Sequence, residues 1–543
     1  MKIGQKLKLE VYGESHAPSI GMRLEGLPSG IRVDISELQS FMERRAPGRD
    51  QFSTARREPD VPEFVAGLKD GVTTGGVVEA VIRNTDTRSG DYERTVPRPG
   101  HADFPNWART GRIPPGGGSN SGRMTAAMCI AGGICLQELA RRGVSVSARV
   151  VRMGDVAAAK AEGDSVGGVV ECVATGLPVG LGGPMFDGID GAVAHAVFGI
   201  PGVKGVEFGN GFAAASLKGS ENNDPFAARN GKVVAATNNH GGVLGGMTSG
   251  APLVFRVAMK PTPSIYKPQR SVDLATMKPC RLTVRGRHDP CIAMRAVPVV
   301  EALTAFALLD ALLADESGRA RICLTLTGKT LAEDLEQYAS QRYFADMVEL
   351  RVDLLKKCER AKAADFPAML AKASSWKVPV VLTFRKACDG GAFRGQESER
   401  LRFFESVLSR KGAKAGFSYV DFEDGFGDER LVELAHGAGA KVVRSLHSFD
   451  GPVKNLKAKL RALGRDGDIA KVAFMPRGRR DVDRLFRELS GFADKGHVVV
   501  AMGALGVDTR IHAERLGSLW TYASVGGLAK LGHLTPYEIK THV

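Results

Sequence analysis

A chain of 543 residues with 43% hydrophobic and 25% charged residues has an ordinary globular composition and is long enough for two or more cores. Its net charge of +14 points to anionic partners, but the basic residues form no tail and aromatics are only 6%, which favours small anionic substrates over nucleic acid. No apolar run approaches the roughly 18 residues that span a bilayer, the start MKIGQKLKLEVYGESH lacks a signal-type apolar core, and the eight cysteines show no CxxC spacing, so the expectation is a cytoplasmic protein with reduced thiols, no metal and no membrane contact.

To about Glu316 the chain is Gly-rich and irregular in period. Strand-like runs at Lys6–Val11, Gly76–Arg83, Ser165–Ala174 and Leu253–Met259 alternate with helical stretches. Ile35–Arg45 follows Asp34, a good N-cap. Met124–Arg142 follows Gly116-Gly-Gly-Ser-Asn-Ser-Gly-Arg, and a helix start preceded by glycines and hydroxyls suits phosphate. Thr237–Ile265 has glycines at 241, 242, 245, 246 and 250, then an apolar run, then Lys260-Pro-Thr-Pro-Ser264. Glycine lets backbone N–H groups approach a ligand, and a lysine among hydroxyls suits phosphate. Further loops place His16 after a strand, Arg45 at a helix end, His101 in RPGHAD, and Arg287 and Asp289 in GRHDP. Together these loops suggest a phosphorylated cofactor and an anionic substrate. Val297–Ala314 is apolar at helical spacing and stops before the polar Asp315–Arg319, which divides the chain into domains 1–317 and 318–543.

The second domain has another rhythm. Eight apolar, β-branched runs, each followed by a helical stretch, predict a (β/α)₈ barrel. They are Arg321–Leu326, Met347–Val352, Pro379–Phe384, Phe417–Phe422, Lys441–Leu446, Ile469–Met475, Val498–Met502 and Leu519–Ala523. Glu349, Arg351, Arg385, His447, Lys471 and Arg510 break the apolar pattern at or near strand ends, where barrel active sites lie. Lys471 sits inside an apolar strand. Pointing inward it is desolvated, which lowers an amine's pKa and frees its lone pair for Schiff-base formation. His447, one strand earlier, is placed to move protons. The arginines suit a carboxylate.

These motifs carry two resemblances. GESH, RRAPG, RREPD, RPGHAD, GGGSNSGRMTA, VKGVEFGNGF, GSENND, TNNHGGVLGGMTSG, KPTPSI and GRHDPCIAMRAVPVVEA resemble chorismate synthase in that family's order over residues 1 to about 316. The resemblance implies an α/β-layered fold and elimination of phosphate from 5-enolpyruvylshikimate 3-phosphate with reduced FMN. It implies that His16 and His101 handle protons and that Asp289 lies near the flavin. It further implies that Arg45 meets substrate, and that Ser119, Asn120, Ser121, Arg123, Gly245, Lys260, Pro261, Thr262, Pro263, Ser264 and Arg287 contact the flavin. A homo-oligomer, tetrameric through the first domain, is implied, with a flavin reductase as a further partner. ELRVD, TFR, SLHSF, AKVAFM and MGALGVDTR, from Glu349 to Arg510, resemble type I 3-dehydroquinate dehydratase. That implies an imine at Lys471, proton transfer by His447, and substrate binding by Glu349, Arg351, Arg385 and Arg510. The sequence departs from the second family at Asp389, where Glu is usual, and at Ala529-Lys-Leu-Gly-His533, where Ser-Ala-Pro-Gly-Gln is usual. The shorter Asp389 side chain is expected to weaken or re-aim its bond to the histidine.

Overall fold

The computed structural model describes the chain apart from residues 47–57, 86–94, 230–231, 285–287, 375, 410–415, 427–428, 493–495, 527 and 542–543. The chain forms two compact units, Met1–Asp315 and Glu316–Val543.

The first unit is mixed α/β. One antiparallel sheet contains β1 (Lys2–Ile3), β2 (Lys8–Gly13), β3 (Ser19–Glu25), β4 (Glu63–Ala66) and β5 (Val78–Arg83), in the order β1-β2-β3-β5-β4. A second antiparallel sheet contains β6 (Ser145–Met153), β7 (Gly168–Thr175), β8 (Val203–Phe208) and β9 (Leu253–Met259), in the order β8-β9-β7-β6. Apolar residues at every second position face the core: Ile20, Met22 and Leu24 on β3, and Leu253, Phe255, Val257 and Met259 on β9. Helix α1 (Ile35–Arg45) starts where Asp34 accepts hydrogen bonds from the backbone N–H groups of Ser36 and Glu37, each at 3.0 Å.

Two buried helices, α2 (Thr125–Arg141) and α3 (Ala293–Gly318), meet at Gly132. A Cβ added there would stand 2.2 Å from Ala302 Cβ, so glycine sets how closely the two backbones approach. The expectation that no apolar run is long enough to span a bilayer fails for α3. Its residues Ala293–Glu316 meet that test by length and composition, yet 89% of the most apolar window is buried, as in a core helix. Two of its acids tie it to its surroundings. Asp310 accepts from the backbone N–H groups of Gln5, Lys6 and Leu7, and Glu301 from Arg44 and the N–H of Ala148.

The second unit is a barrel of eight parallel strands: β10 (Arg321–Leu326), β11 (Met347–Arg351), β12 (Val380–Thr383), β13 (Tyr419–Glu423), β14 (Lys441–Ser448), β15 (Ile469–Phe474), β16 (His497–Ala501) and β17 (Trp520–Ser524). The ladder runs β16-β15-β14-β13-β12-β11-β10-β17, and a parallel bridge between His497 and Ser518 links its two ends. All eight predicted runs become strands, with ends displaced by no more than a few residues. Inward side chains form layers. Cys323, Met347, Val381, Val443, Ile469 and Val498 belong to one apolar cluster, with Tyr419 packed against it. Two residues further along their strands stand Thr325, Glu349, Thr383, Asp421, Ser445 and Lys471, all buried.

Two tests follow. Gly132→Ala is favoured by helix propensity by about 1 kcal/mol, but the contact with Ala302 outweighs it, and we expect a net loss of about 1–3 kcal/mol in the first unit. A raised calorimetric midpoint would show that the helices part freely. In the barrel, burial raises the Asp334 carboxyl to about 6 from 3.8. A carboxyl raised on folding contributes stability below its unfolded pKa and loses it as pH climbs through the folded value. Asp334→Asn should therefore stabilise the barrel above pH 6, by up to about 3 kcal/mol, with no gain below pH 4. Denaturation midpoints across that range test the sign.

Candidate active sites

The first unit holds a cavity of about 560 Å³. His16 and His101 reach it from different loops, and one glycine turn seats both. Gly116, Gly117 and Gly118 have φ of 61°, 90° and 55°. A Cβ at Gly116 would lie 2.2 Å from His16 Cε1, and one at Gly117 would lie 3.0 Å from His101 Cε1. Only glycine allows this backbone shape and this closeness together. Ser15 Oγ lies 3.1 Å from His16 Nδ1, and Asp103 Oδ1 lies 2.7 Å from His101 Nδ1. Burial opposes the charge of Asp103, but Arg98 and His101 outweigh it and hold the carboxyl well below its usual range.

A second wall carries two arginines on one carboxylate. Arg45 Nη1 is 2.6 Å from Asp60 Oδ2, and Arg123 donates to the other oxygen of Asp60. Burial would raise Asp60, and the two guanidiniums pull it down instead. Arg123 Nε also lies 3.1 Å from Glu58 Oε2, while its Nη2 is buried without a hydrogen-bond partner among the described residues. Asp289 accepts from Arg295 Nη1 at 2.7 Å, and its backbone carbonyl accepts from Thr262 Oγ1 at 2.8 Å. Lys260 donates to the carbonyl of Gly100, and burial, then the neighbouring charge of Lys204, lowers its pKa. Two adjacent ammonium groups on one cavity wall suit an anion.

The structure brings His16, Arg45, His101, Ser119, Asn120, Ser121, Arg123, Lys260, Thr262, Pro263, Ser264 and Asp289 to this one cavity. Pro261 is exposed and is not among the lining residues. Gly245 is also elsewhere. With Gly246 it turns a hairpin between Val243–Leu244 and Met247–Thr248, at φ of 59° and 83°. That glycine serves the turn, whose two left-handed residues favour glycine, so only the Lys260–Ser264 end of the Gly-rich stretch reaches the cavity. Arg287 lies outside the described residues. Lys204 and Arg295 are not singled out by the sequence, and Arg98 and Asp103 enter it only as the ends of one motif, whose His-Ala-Asp run reads first as a loop hydrogen bond. Arg98 and Asp103 flank His101 in RPGHAD, and Arg295 is a charge at the start of an apolar helix.

The barrel cavity is smaller, about 70 Å³, and is lined by Glu349, Arg351, Arg385, His447, Lys471 and Arg510 among others. Lys471 is not alone among apolar groups, as its strand suggests. Its Nζ lies 2.9 Å from Asp421 Oδ2, 3.7 Å from Glu349 Oε1 and 4.2 Å from the centre of the Tyr522 ring. Glu349 accepts from Thr325 and Thr383, each at 2.9 Å. Asp421 accepts from Ser445 at 2.6 Å and pairs with Arg385 Nη2 at 2.7 Å. Burial disfavours its charge, yet Arg385 and Lys471 hold it far below the usual range. Sequence reading passed over Asp421; its signal was a carboxylate inside an apolar strand.

His447 Nδ1 lies 2.9 Å from Arg385 Nη1. A guanidinium only donates, so Nδ1 accepts and the neutral ring carries its proton on Nε2. Burial, then Arg385 and Lys471, push its pKa well below the usual value. Asp389 lines the same cavity and accepts from Cys388 Sγ at 3.6 Å. Arg351 is matched by Asp353, with Nε to Oδ1 at 2.9 Å. Arg510 differs. It is 2% exposed and donates to the backbone carbonyls of Tyr522 and Leu531 at 3.0 and 2.9 Å, and burial lowers its pKa to about 9. A buried guanidinium that meets carbonyls in place of a carboxylate keeps a charge that suits an anion.

Comparison with known proteins assigns a family model to each part of the chain. The chorismate synthase family model matches residues 7–159 and 153–313, and the type I 3-dehydroquinase model matches residues 322–542. Chorismate synthase of Thermococcus kodakarensis is 46% identical over 344 residues, covering 57% of this chain and 97% of that protein. The enzyme of Thermococcus gammatolerans is 47% identical over 345 residues, with the same shares of 57% and 97%. Among solved structures, a 3-dehydroquinate dehydratase from Geobacillus kaustophilus HTA426 is 24% identical, with a TM-score of 0.37 over 41% of this chain and 89% of that one. The chain belongs to the chorismate synthase family, carries a type I 3-dehydroquinase domain behind it, and is a bifunctional lyase of the shikimate pathway acting on small anionic substrates.

Proposed function

We propose that residues 1–317 eliminate phosphate from 5-enolpyruvylshikimate 3-phosphate to give chorismate, and that residues 318–543 dehydrate 3-dehydroquinate through an imine at Lys471. For the first reaction the supporting observation is the meeting of His16, His101 and Asp289 in one cavity with a surplus of positive charge. The same cavity fits reduced FMN in its chemistry. Lys260, Lys204 and the unpartnered Nη2 of Arg123 offer charge to a phosphate, while Met124, Met128, Ile292 and Val299 offer an apolar wall to a flat ring. Ser119, Asn120, Ser121 and Thr262 to Ser264 add polar contacts, and Arg287 is assigned to the flavin by resemblance alone.

Bound there, reduced FMN supplies electron density to the substrate as phosphate leaves, with no net redox change. His16 and His101 relay protons at the substrate phosphate and the flavin. Asp289, fixed by Arg295, handles the substrate proton. Arg45, fixed by Asp60, binds substrate.

In the barrel, Lys471 adds to the substrate carbonyl, and the imine acidifies the neighbouring C–H. His447 removes that proton and returns one to the leaving hydroxyl. Its Nδ1 becomes available as base when substrate draws Arg385 from it. Arg510 takes the carboxylate, and Glu349, Arg351 and Arg385 hold substrate oxygens. The chain works in the cytoplasm as a homo-oligomer, tetrameric through residues 1–317, with a flavin reductase as partner. Support for assembly comes from large apolar side chains left exposed on the first unit, among them Phe186 at 100%, Met185 at 88% and Phe212 at 84%.

The synthase assignment is tested by anaerobic chorismate formation with chemically reduced FMN. His101→Ala should lower the rate by about 10²–10⁴-fold, the range for a lost acid–base group, and a wild-type rate would remove His101 from the mechanism. For the barrel, borohydride with 3-dehydroquinate should trap an adduct on Lys471. Lys471→Met should lose the adduct and at least about 10³-fold of dehydratase rate while chorismate formation is unchanged. A folded barrel that yields no adduct would sink the imine.

A further inference from the structure

We infer that Asp103 is the positioning residue of His101: it fixes the tautomer of the imidazole so that Nε2 offers its lone pair away from the clamp. The inference rests on reading the larger cavity as the chorismate synthase site. Asp103 is 1% exposed, and each of its oxygens has two neighbours that can donate. Oδ2 accepts from Arg98 Nε at 2.7 Å and from the Arg98 backbone N–H at 3.0 Å. Oδ1 accepts from Arg98 Nη2 at 2.8 Å and lies 2.7 Å from His101 Nδ1. A charged carboxylate only accepts. An unprotonated Nδ1 at 2.7 Å would set its lone pair against that of Oδ1, so Nδ1 carries the proton and Nε2 the lone pair. Arg98 Nη2 also lies 3.1 Å from Nδ1, but Oδ1 is the nearer acceptor for it, at 2.8 Å. The far edge of the ring is held as well. A Cβ at Gly117 would stand 3.0 Å from Cε1 and 3.1 Å from Nε2. Arg98 Nη1 reaches on to Ser264 Oγ at 3.2 Å, which ties this clamp to the Lys260–Ser264 wall.

The same geometry dictates what an amide does here. In Asp103→Asn one oxygen becomes NH₂. In the place of Oδ2 it would face two groups that can only donate. In the place of Oδ1 it faces one such group and a ring that can exchange its proton. The NH₂ therefore turns to His101, and the ring proton moves to Nε2.

Solid-state NMR of the full chain with ¹⁵N-histidine, with His101→Gln to assign the signal, reads the tautomer directly. We expect the proton on Nδ1 in the wild type and on Nε2 in Asp103→Asn. We also expect a fall in kcat for chorismate formation of about 10²-fold or more, with KM nearly unchanged. A wild-type ring protonated on Nε2, an unmoved tautomer in the variant, or a moved tautomer with wild-type kcat would each overturn the role. Should Asp103→Asn not fold, Gly117→Ala should displace the ring and lower kcat with Nδ1 still protonated; an undiminished kcat would count against the clamp. A wild type that makes no chorismate with reduced FMN defeats the reading of the cavity, a failure distinct from an unmoved tautomer.

Discussion

The barrel depends on how one buried ammonium is neutralised. Lys471 is 5% exposed, and an isolated charge at that depth is prohibitive. Asp421 and Glu349 answer it, Arg385 answers Asp421, and Ser445, Thr325 and Thr383 fill the remaining lone pairs. Within this layer two cations face two anions, and Arg351 with Asp353 is balanced separately. Arg510 is then the cation left over. An anion would close the balance, which suits the carboxylate-bearing substrate proposed for this barrel.

The first unit follows the same rule, and what remains over is again positive charge. Asp60 and Glu58 absorb Arg45 and Arg123, and Asp103 absorbs Arg98. Lys204 and Lys260 stand together beyond that balance, and their mutual repulsion marks where negative charge is wanted. Structural carboxylates thus keep the arginines rigid, and the lysines keep the cavity basic. The overall charge of +14 is consistent with this local surplus, though most of the basic residues lie far from either cavity.

Much of this was legible in the amino-acid order. Barrel strands announce themselves because both faces are buried, which leaves long β-branched runs. The residues that interrupt them, from Glu349 to Arg510, proved to line one cavity. Asp421 escaped because its neighbours Val420 and Phe422 make the strand look wholly apolar, and nothing local says that it meets a lysine two strands away. Strands β3, β6 and β8 escaped too. β6 is an edge strand with alternating exposure, and its pairing with β7 depends on residues some twenty positions distant. The Gly-rich stretch misled in the other direction, since turn glycines and ligand glycines are the same residue type in sequence. The first-unit cavity draws on loops separated by nearly three hundred residues, so its histidines were visible singly but their common seat on Gly116 and Gly117 was not.

In six barrel strands a polar side chain follows an apolar one by two positions, so the reacting groups are spaced by the pleat of the sheet and not by loop geometry. A single inserted residue in any of these strands would turn its functional side chain outward, whereas changes at the rim leave the register untouched. Asp389, Leu531 and His533 line the barrel cavity from segments outside these strands. A substitution in those segments can therefore reshape the cover of the cavity while Glu349, Asp421 and Lys471 keep the positions their strands give them.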